Sequence, residues 1–188
     1  MAHALNFDDS RDHLNRSLDA VKLVGAYQLN PDVTAAGGAG LWNPNAYAPK
    51  AAGAAAAPAS YAEFQFYAEA GRPYHLWIRA RAQRNEFGND SAFLQFSGVS
   101  SAKIGTTAAM IYQLEDAPSV GLSQWGWQDN GLGTAPGMMG AQITFEQSGL
   151  QTLRIQPRED GLQIDQIVIS PDRYLLVAPG ALKNDATI

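Results

Sequence analysis

Polar and apolar positions alternate with a period of two through much of this chain. In residues 61–70, Ala62, Phe64, Phe66 and Ala68 fall on one side of an extended backbone, and Tyr61, Glu63, Gln65 and Tyr67 fall on the other. Residues 74–82 repeat the pattern, with Tyr74, Leu76, Ile78 and Ala80 alternating with His75, Trp77, Arg79 and Arg81. Each stretch predicts a strand with one face in a core, and Gly71-Arg-Pro73 between them predicts a short hairpin that makes the two antiparallel neighbours. Further strands are predicted at 92–96, 108–114, 142–145, 150–156 and 162–170, separated by loops bearing Gly98, Gly121, Gly131, Gly133, Gly137, Gly149 and Gly161. At least seven short strands and no long amphipathic helix point to an all-β fold of two stacked antiparallel sheets, a β-sandwich or jelly roll.

A length of 188 residues fits one such domain. Its body is expected over 18–178, between an N-terminal leader or linker at 1–17 and a C-terminal tail at 179–188. The first 17 residues carry Asp8, Asp9, Arg11, Asp12 and Arg16 with little periodic apolar content, which suits a leader, a tag remnant or one short helix. The alanine-rich stretch 48–59, with a proline near each end, predicts a surface loop. With 46% hydrophobic residues the chain can bury a core, and no apolar run approaches the roughly 20 residues of a membrane helix. No membrane partner is expected. Thirteen Lys and Arg against eighteen Asp and Glu give a net charge of −5, and no basic cluster stands out, which argues against a nucleic-acid partner. The absence of cysteine excludes disulfides, thiolate zinc sites and a cysteine nucleophile. The three histidines, His3, His13 and His75, argue against most hydrolase triads and His-rich metal centres. The first residues hold no apolar stretch of the signal-peptide kind, which an excised segment of a larger precursor would also lack.

Motifs of catalysis are thin. Gly121-Leu-Ser-Gln-Trp125 lacks the second glycine of a nucleophile elbow, and Gly131-Leu-Gly-Thr-Ala-Pro-Gly137 lacks the Lys-Ser or Lys-Thr of a phosphate loop. Glu86, Asp90, Glu115, Asp116, Asp129, Glu146, Glu159 and Asp160 read as loop carboxylates that sequence alone cannot pair across a cleft. Asp165 differs, because it stands inside the most apolar predicted strand, Leu162-Gln-Ile-Asp-Gln-Ile-Val-Ile169. A carboxylate buried there needs hydrogen bonds or a cation, so structural bonding, bound calcium and catalysis are its three readings.

The aromatics carry the sharper signal. Trp125-Gly-Trp127-Gln-Asp129-Asn130-Gly131 sets two indoles on one side of an extended segment beside amide and carboxylate groups. Flat rings next to short polar side chains suit a sugar, whose C–H face stacks on the ring while its hydroxyls bond to the polar groups. Core packing is the competing reading for each tryptophan. Trp42 and Tyr47, in Gly37-Gly-Ala-Gly-Leu-Trp-Asn-Pro-Asn-Ala-Tyr47, form a second polar and aromatic loop, whereas Trp77, mid-strand, reads as structural and as a ring on which Arg79 can stack.

Taken together, Gly37-Gly38, Tyr61-Ala-Glu-Phe-Gln-Phe66, Gly71-Arg-Pro-Tyr-His-Leu-Trp-Ile-Arg79, Asn89-Asp-Ser-Ala-Phe-Leu-Gln-Phe-Ser-Gly98, Trp125-Gly-Trp-Gln-Asp-Asn130 and Arg158-Glu-Asp-Gly-Leu-Gln-Ile-Asp-Gln-Ile-Val168 resemble, in order and spacing over residues 19–175, a non-catalytic carbohydrate-binding module of the family 6 and family 35 type. That resemblance implies a galactose-binding-like sandwich with its ligand among loops at one end, held between two aromatics. By position the aromatics are Trp42 or Tyr47 and Trp125 or Trp127, of which Trp127 is the favoured stacking ring, with Asp129, Asn130 and Gln163 bonding to hydroxyls; Gln163 stands where such modules usually carry Asn. It also implies a structural calcium at the last-strand Asp165, for which Asp19 is the only acidic first-strand candidate.

The function this predicts is reversible binding of a polysaccharide or oligosaccharide, without catalysis, by an accessory domain linked to a catalytic domain in a secreted or surface protein. The alternatives are a glycoside hydrolase or polysaccharide lyase on the same scaffold, and a protein-interaction or adhesion domain.

Overall fold

The computed structural model describes the backbone of residues 4–5 and 16–17 and, with side chains, residues 21–114, 121–130 and 139–180. Ala4–Leu5 (β1) and Arg16–Ser17 (β2) pair antiparallel, so part of the segment expected to be a leader or helix is extended backbone. The body is a sandwich of two sheets. One contains Lys22–Val24 (β3), Tyr61–Ala68 (β6), Ser91–Phe96 (β8), Met110–Gln113 (β9) and Gly149–Pro157 (β12), in the order β3-β6-β12-β8-β9. The other contains Gln28–Pro31 (β4), Ala39–Trp42 (β5), Pro73–Ala82 (β7), Gly126–Asp129 (β10), Ile143–Thr144 (β11) and Leu162–Ser170 (β13), in the order β10-β7-β13-β5-β4, with β11 also on β7. Every strand pairing in the two sheets is antiparallel. Helical structure among the described residues consists of single 3-10 turns at Gln83–Asn85, Phe87–Asn89 and Ser100–Ala102.

The expected hairpin between residues 61–70 and 74–82 does not form. β6 pairs with β3 and β12, whereas β7 pairs with β10, β11 and β13, so the two strands lie in opposite sheets. Gly71, at φ 73°, supplies the left-handed residue at which the chain crosses from one sheet to the other. The physical reason lies in the faces. Ala62, Phe64, Phe66 and Ala68 share one buried cluster with Tyr74, Leu76, Ile78 and Ala80, so the apolar faces meet by stacking across the sandwich rather than by edge pairing. Alternation is the same in either arrangement, and a period of two cannot choose between them.

The core is aliphatic and aromatic. Phe145 sits at its centre of aromatic contact, with Phe66, Tyr74 and Phe96 packed edge-to-face at centroid distances of 5.5, 5.4 and 5.9 Å. In β13 the register shifts between Ile164 and Gln166. This bulge at Asp165 lets Leu162 and Ile164 on one side of it, and Ile167 and Ile169 on the other, all point into the core.

Candidate functional site

Since the inner residues of β7 fill the core, His75, Trp77, Arg79 and Arg81 stand on the outer face of the six-stranded sheet. That face divides into two regions. In the first, Trp77, Trp127, Val168 and Tyr174 form a separate apolar cluster beneath the segment that follows β13, and the Trp77 indole donates to the Tyr174 carbonyl at 2.7 Å. Trp127 is 1% exposed. Its expected role as an open stacking platform is therefore corrected: β10 pairs Trp127 with Arg79 across β7, and the alternation that puts it on the outer face also puts it under Tyr174.

Asp129 and Asn130 are likewise turned to internal work. Asp129 is buried, at 2.8 Å from the buried His75 imidazole, and it accepts from the Gly140 backbone N–H. The Asn130 amide donates to the Ala141 carbonyl at 2.9 Å. Neither side chain lines an open surface.

In the second region three of the expected residues converge. Trp42 at the end of β5, Trp125 just before β10 and Gln163 in β13 line one shallow groove with Asn30, Asp32 and Gly40. Register explains the convergence: Gln163 lies opposite Trp42 on one side and Arg81 on the other, while Asn30 lies opposite Gly40. Gly40 keeps the floor open. A Cβ there would stand 3.2 Å from the Ile164 carbonyl and 3.5 Å from the Trp125 ring, filling the space between them.

Trp125 is held rigidly. Its indole N–H donates to Thr34 Oγ1 at 2.8 Å, and the guanidinium groups of Arg81 and Arg79 lie 4.2 and 5.4 Å from its ring centroid. Arg79 thus stacks on Trp125. Arg81 also donates to Gln163 Oε1 at 2.6 Å and pairs with Asp32. Asp32 in turn accepts from the Thr34 N–H at 2.8 Å and hydroxyl at 2.6 Å. Burial pushes the Asp32 carboxyl upward, but the two Thr34 bonds and the Arg81 charge outweigh it and hold the group below its ordinary value. Asp32 is an ionised acceptor at neutral pH.

Asp165 answers its own question. The bulge turns its carboxylate to Arg79 and to the Ala36 N–H, which donates at 2.8 Å. Burial raises its pKa against the pull of both partners. The protein's own guanidinium occupies the place of a cation, and among the described residues no group of three or more His, Asp or Glu is placed to hold a metal. The described residues at Asp165 therefore do not fit the calcium that the resemblance implied; Asp19, its expected partner, lies outside the described residues.

Tyr47 lies five residues beyond Trp42 and does not line the groove. It is 67% exposed at φ 58°, with the Arg84 guanidinium 5.0 Å from its ring centroid. Sequence reasoning also missed Asn30, Asp32, Thr34 and Arg81. The signal was present for three of them: Asp32-x-Thr34 is a local turn pattern, and Arg81 shares an outward face with Arg79.

The sequence matches no family profile and no curated protein. Solved structures do match the fold. The chain is similar to the carbohydrate-binding module CBM6cm-2 of Cellvibrio mixtus lichenase 5A, solved in complex with cellotriose, at 10% identity and a TM-score of 0.50, covering 90% of this chain and 98% of that one. A family 35 carbohydrate-binding module from Clostridium thermocellum matches at 13% identity and a TM-score of 0.48, covering 81% and 93% of the two chains. The C-terminal family 6 module of LamC, a marine laminarinase from Zobellia galactanivorans, matches at 11% identity and a TM-score of 0.45, covering 80% and 98%. The fold is the antiparallel β-sandwich of these modules.

Proposed function

We propose that this domain binds an oligosaccharide, without chemistry, in the groove lined by Trp42, Trp125 and Gln163. The observation that carries this reading is the convergence of those three residues, distant in sequence, with Asn30 and Asp32 over a floor that lacks a side chain at Gly40. Trp42, only partly buried, offers ring surface to the C–H face of a sugar, while Trp125, clamped by two arginines, forms a fixed wall. Asn30 and the ionised Asp32 supply hydrogen bonds to hydroxyls, and Gln163 keeps its amide N–H available beside the oxygen that Arg81 engages.

Hydrolysis is disfavoured by the same geometry. Glycoside cleavage ordinarily uses two carboxyl groups, one of them protonated at working pH. Among the described residues the groove holds one, Asp32, and it is kept ionised by Thr34 and Arg81. An accessory role beside a carbohydrate-active catalytic domain, outside the cell, accords with this.

The test is titration calorimetry against an oligosaccharide panel that includes cellotriose. A small groove that displaces bound water supports an affinity of about 10 µM to 1 mM. Trp42→Ala is expected to weaken binding about tenfold or more while the melting temperature stays near wild type. Unaltered affinity for a confirmed ligand in Trp42→Ala would refute this site.

A further inference from the structure

A second feature lies at the turn between β12 and β13 and involves none of the residues that line the groove. The segment 43–51, which carries Tyr47, leaves β5 and is tied along the turn between β12 and β13. The Gly161 N–H donates to the Asn43 carbonyl at 2.6 Å, and the Ala46 and Ala48 N–H groups donate to the Asp160 carboxylate at 2.6 and 3.1 Å. Lys50 Nζ reaches Glu159 Oε1 at 2.7 Å, and the Ala51 N–H donates to the Arg158 carbonyl at 2.8 Å.

Next to this tether lies Asp90, 1% exposed. Among the described residues no donor reaches either of its carboxyl oxygens. Its neighbour is the Glu159 carboxyl, 5% exposed, which accepts from the Ser91 hydroxyl at 2.5 Å and from the Asp90 backbone N–H at 3.4 Å. A bare carboxylate beside another, out of water and without a donor, is costly, whereas a carboxylic acid carries its own donor and has an acceptor at hand. We infer that Asp90 and Glu159 share one proton, held by Asp90 and donated to Glu159, and that this proton locks the 43–51 segment through the Glu159–Lys50 pair.

Among the described residues the charged groups facing Asp90 are Glu159 and Arg158 from the β12–β13 turn and Lys50 from the tethered segment. On β8 and β9 the neighbours of Arg158 are neutral, Ser91 and Gln113, at 2.9 and 3.2 Å. Burial first, and then Glu159, push the Asp90 carboxyl up to about 8, while Lys50, Ser91 and Asp90 hold Glu159 low against its own burial. The sign follows. Above the ordinary carboxylate range the folded protein keeps a proton that the unfolded chain has released, so the pair's contribution to stability declines as pH rises and levels off beyond about 8. Past that point two like charges face each other behind Lys50, and the tether loosens.

The experiment compares wild type with Asp90→Asn, whose amide donates to Glu159 at every pH. Melting temperatures are measured from about pH 5 to 9, with backbone hydrogen exchange of residues 43–51 corrected for its intrinsic pH dependence. Wild type is expected to lose melting temperature relative to Asp90→Asn up to about pH 8, and its 43–51 segment to lose protection above that pH, while the variant keeps its protection. Should Asp90→Asn fail to fold, the carboxyl carbon of Asp90 in wild type is followed by NMR, with Glu159→Gln as the second variant, in which that carbon is expected to titrate at lower pH. Parallel melting profiles, or an Asp90 carbon titrating in the ordinary carboxylate range, would overturn the proposal. So would a melting temperature raised by calcium chloride in wild type but not in Asp90→Asn, which would make these oxygens a cation site.

Discussion

Trp127→Ala separates the two regions of the outer sheet face most sharply. Truncating a buried tryptophan costs about 3–5 kcal/mol through lost transfer energy and the cavity left behind. Two details of the structure move Trp127 to the lower end. Its cluster, with Trp77, Val168 and Tyr174, is small and is covered by the segment after β13 that carries Tyr174 and Ala178. Its indole N–H is also buried without an acceptor among the described residues, and deleting such a group returns about 1 kcal/mol or more. A net cost of about 3 kcal/mol follows, and at roughly 2–4 °C per kcal/mol for a domain of this size the melting temperature falls by about 6–12 °C. Differential scanning calorimetry measures the first quantity, and calorimetric titration well below the transition measures the second, glycan affinity, expected within about twofold of wild type because the ring packs in its own cluster with Trp77, Val168 and Tyr174. Trp127→Phe, which keeps most of the volume and removes the orphan N–H, is expected to cost less than half as much. A Trp127→Ala protein that melts like wild type but no longer binds sugar would refute this assignment and restore the ring to the ligand.

Asp165→Ala strands Arg79 in a nearly water-free site and is expected to destabilise by about 3–5 kcal/mol, visible in urea unfolding, whereas a chelator is expected to leave the wild-type melting temperature unchanged; a chelator-induced drop would contradict the reading of Arg79 as the resident cation. Asp32, whose pKa is lowered, contributes stability that is fully present above its unfolded value near 3.8 and is lost as pH falls through the folded value. Acid melting curves should therefore show a component that Asp32→Asn lacks, and identical acid limbs in the two proteins would show that Arg81 and Thr34 do not hold the ionised form.

Alternation along the strands was enough to recognise a sandwich, and the positions of Phe64, Phe66, Leu76 and Ile78 in its core follow from the pattern alone. Which strand pairs with which did not, because stacking and edge pairing of β6 and β7 present the same faces. Trp42, Trp125 and Gln163, which line the proposed groove, were singled out in the sequence through composition and resemblance. Trp127 was not distinguishable from Trp125, since two residues of spacing put both on one face, and what separates them is the covering segment around Tyr174, far along the chain. One signal in β13 was readable and informative: the apolar phase runs through Leu162 and Ile164 and resumes at Ile167 and Ile169, a slip of one residue that marks the bulge at Asp165. The Asp90 and Glu159 pair left no trace, because nothing local brings residues 69 positions apart into one pocket.

The order of strands within the sheets also governs when the chain can acquire its shape. β12 sits between β6 and β8, and β13 between β7 and β5, so the last two long strands made during synthesis occupy the middle of both sheets. Until they leave the ribosome, β6 and β7 have apolar faces and no central partners, and the local pairings open to the emerging body are the hairpins β4–β5 and β8–β9. Contacts of such long sequence separation make folding slow and leave unpaired edges exposed in the meantime. A stop codon before Gly149 removes the centre of each sheet rather than trimming an end.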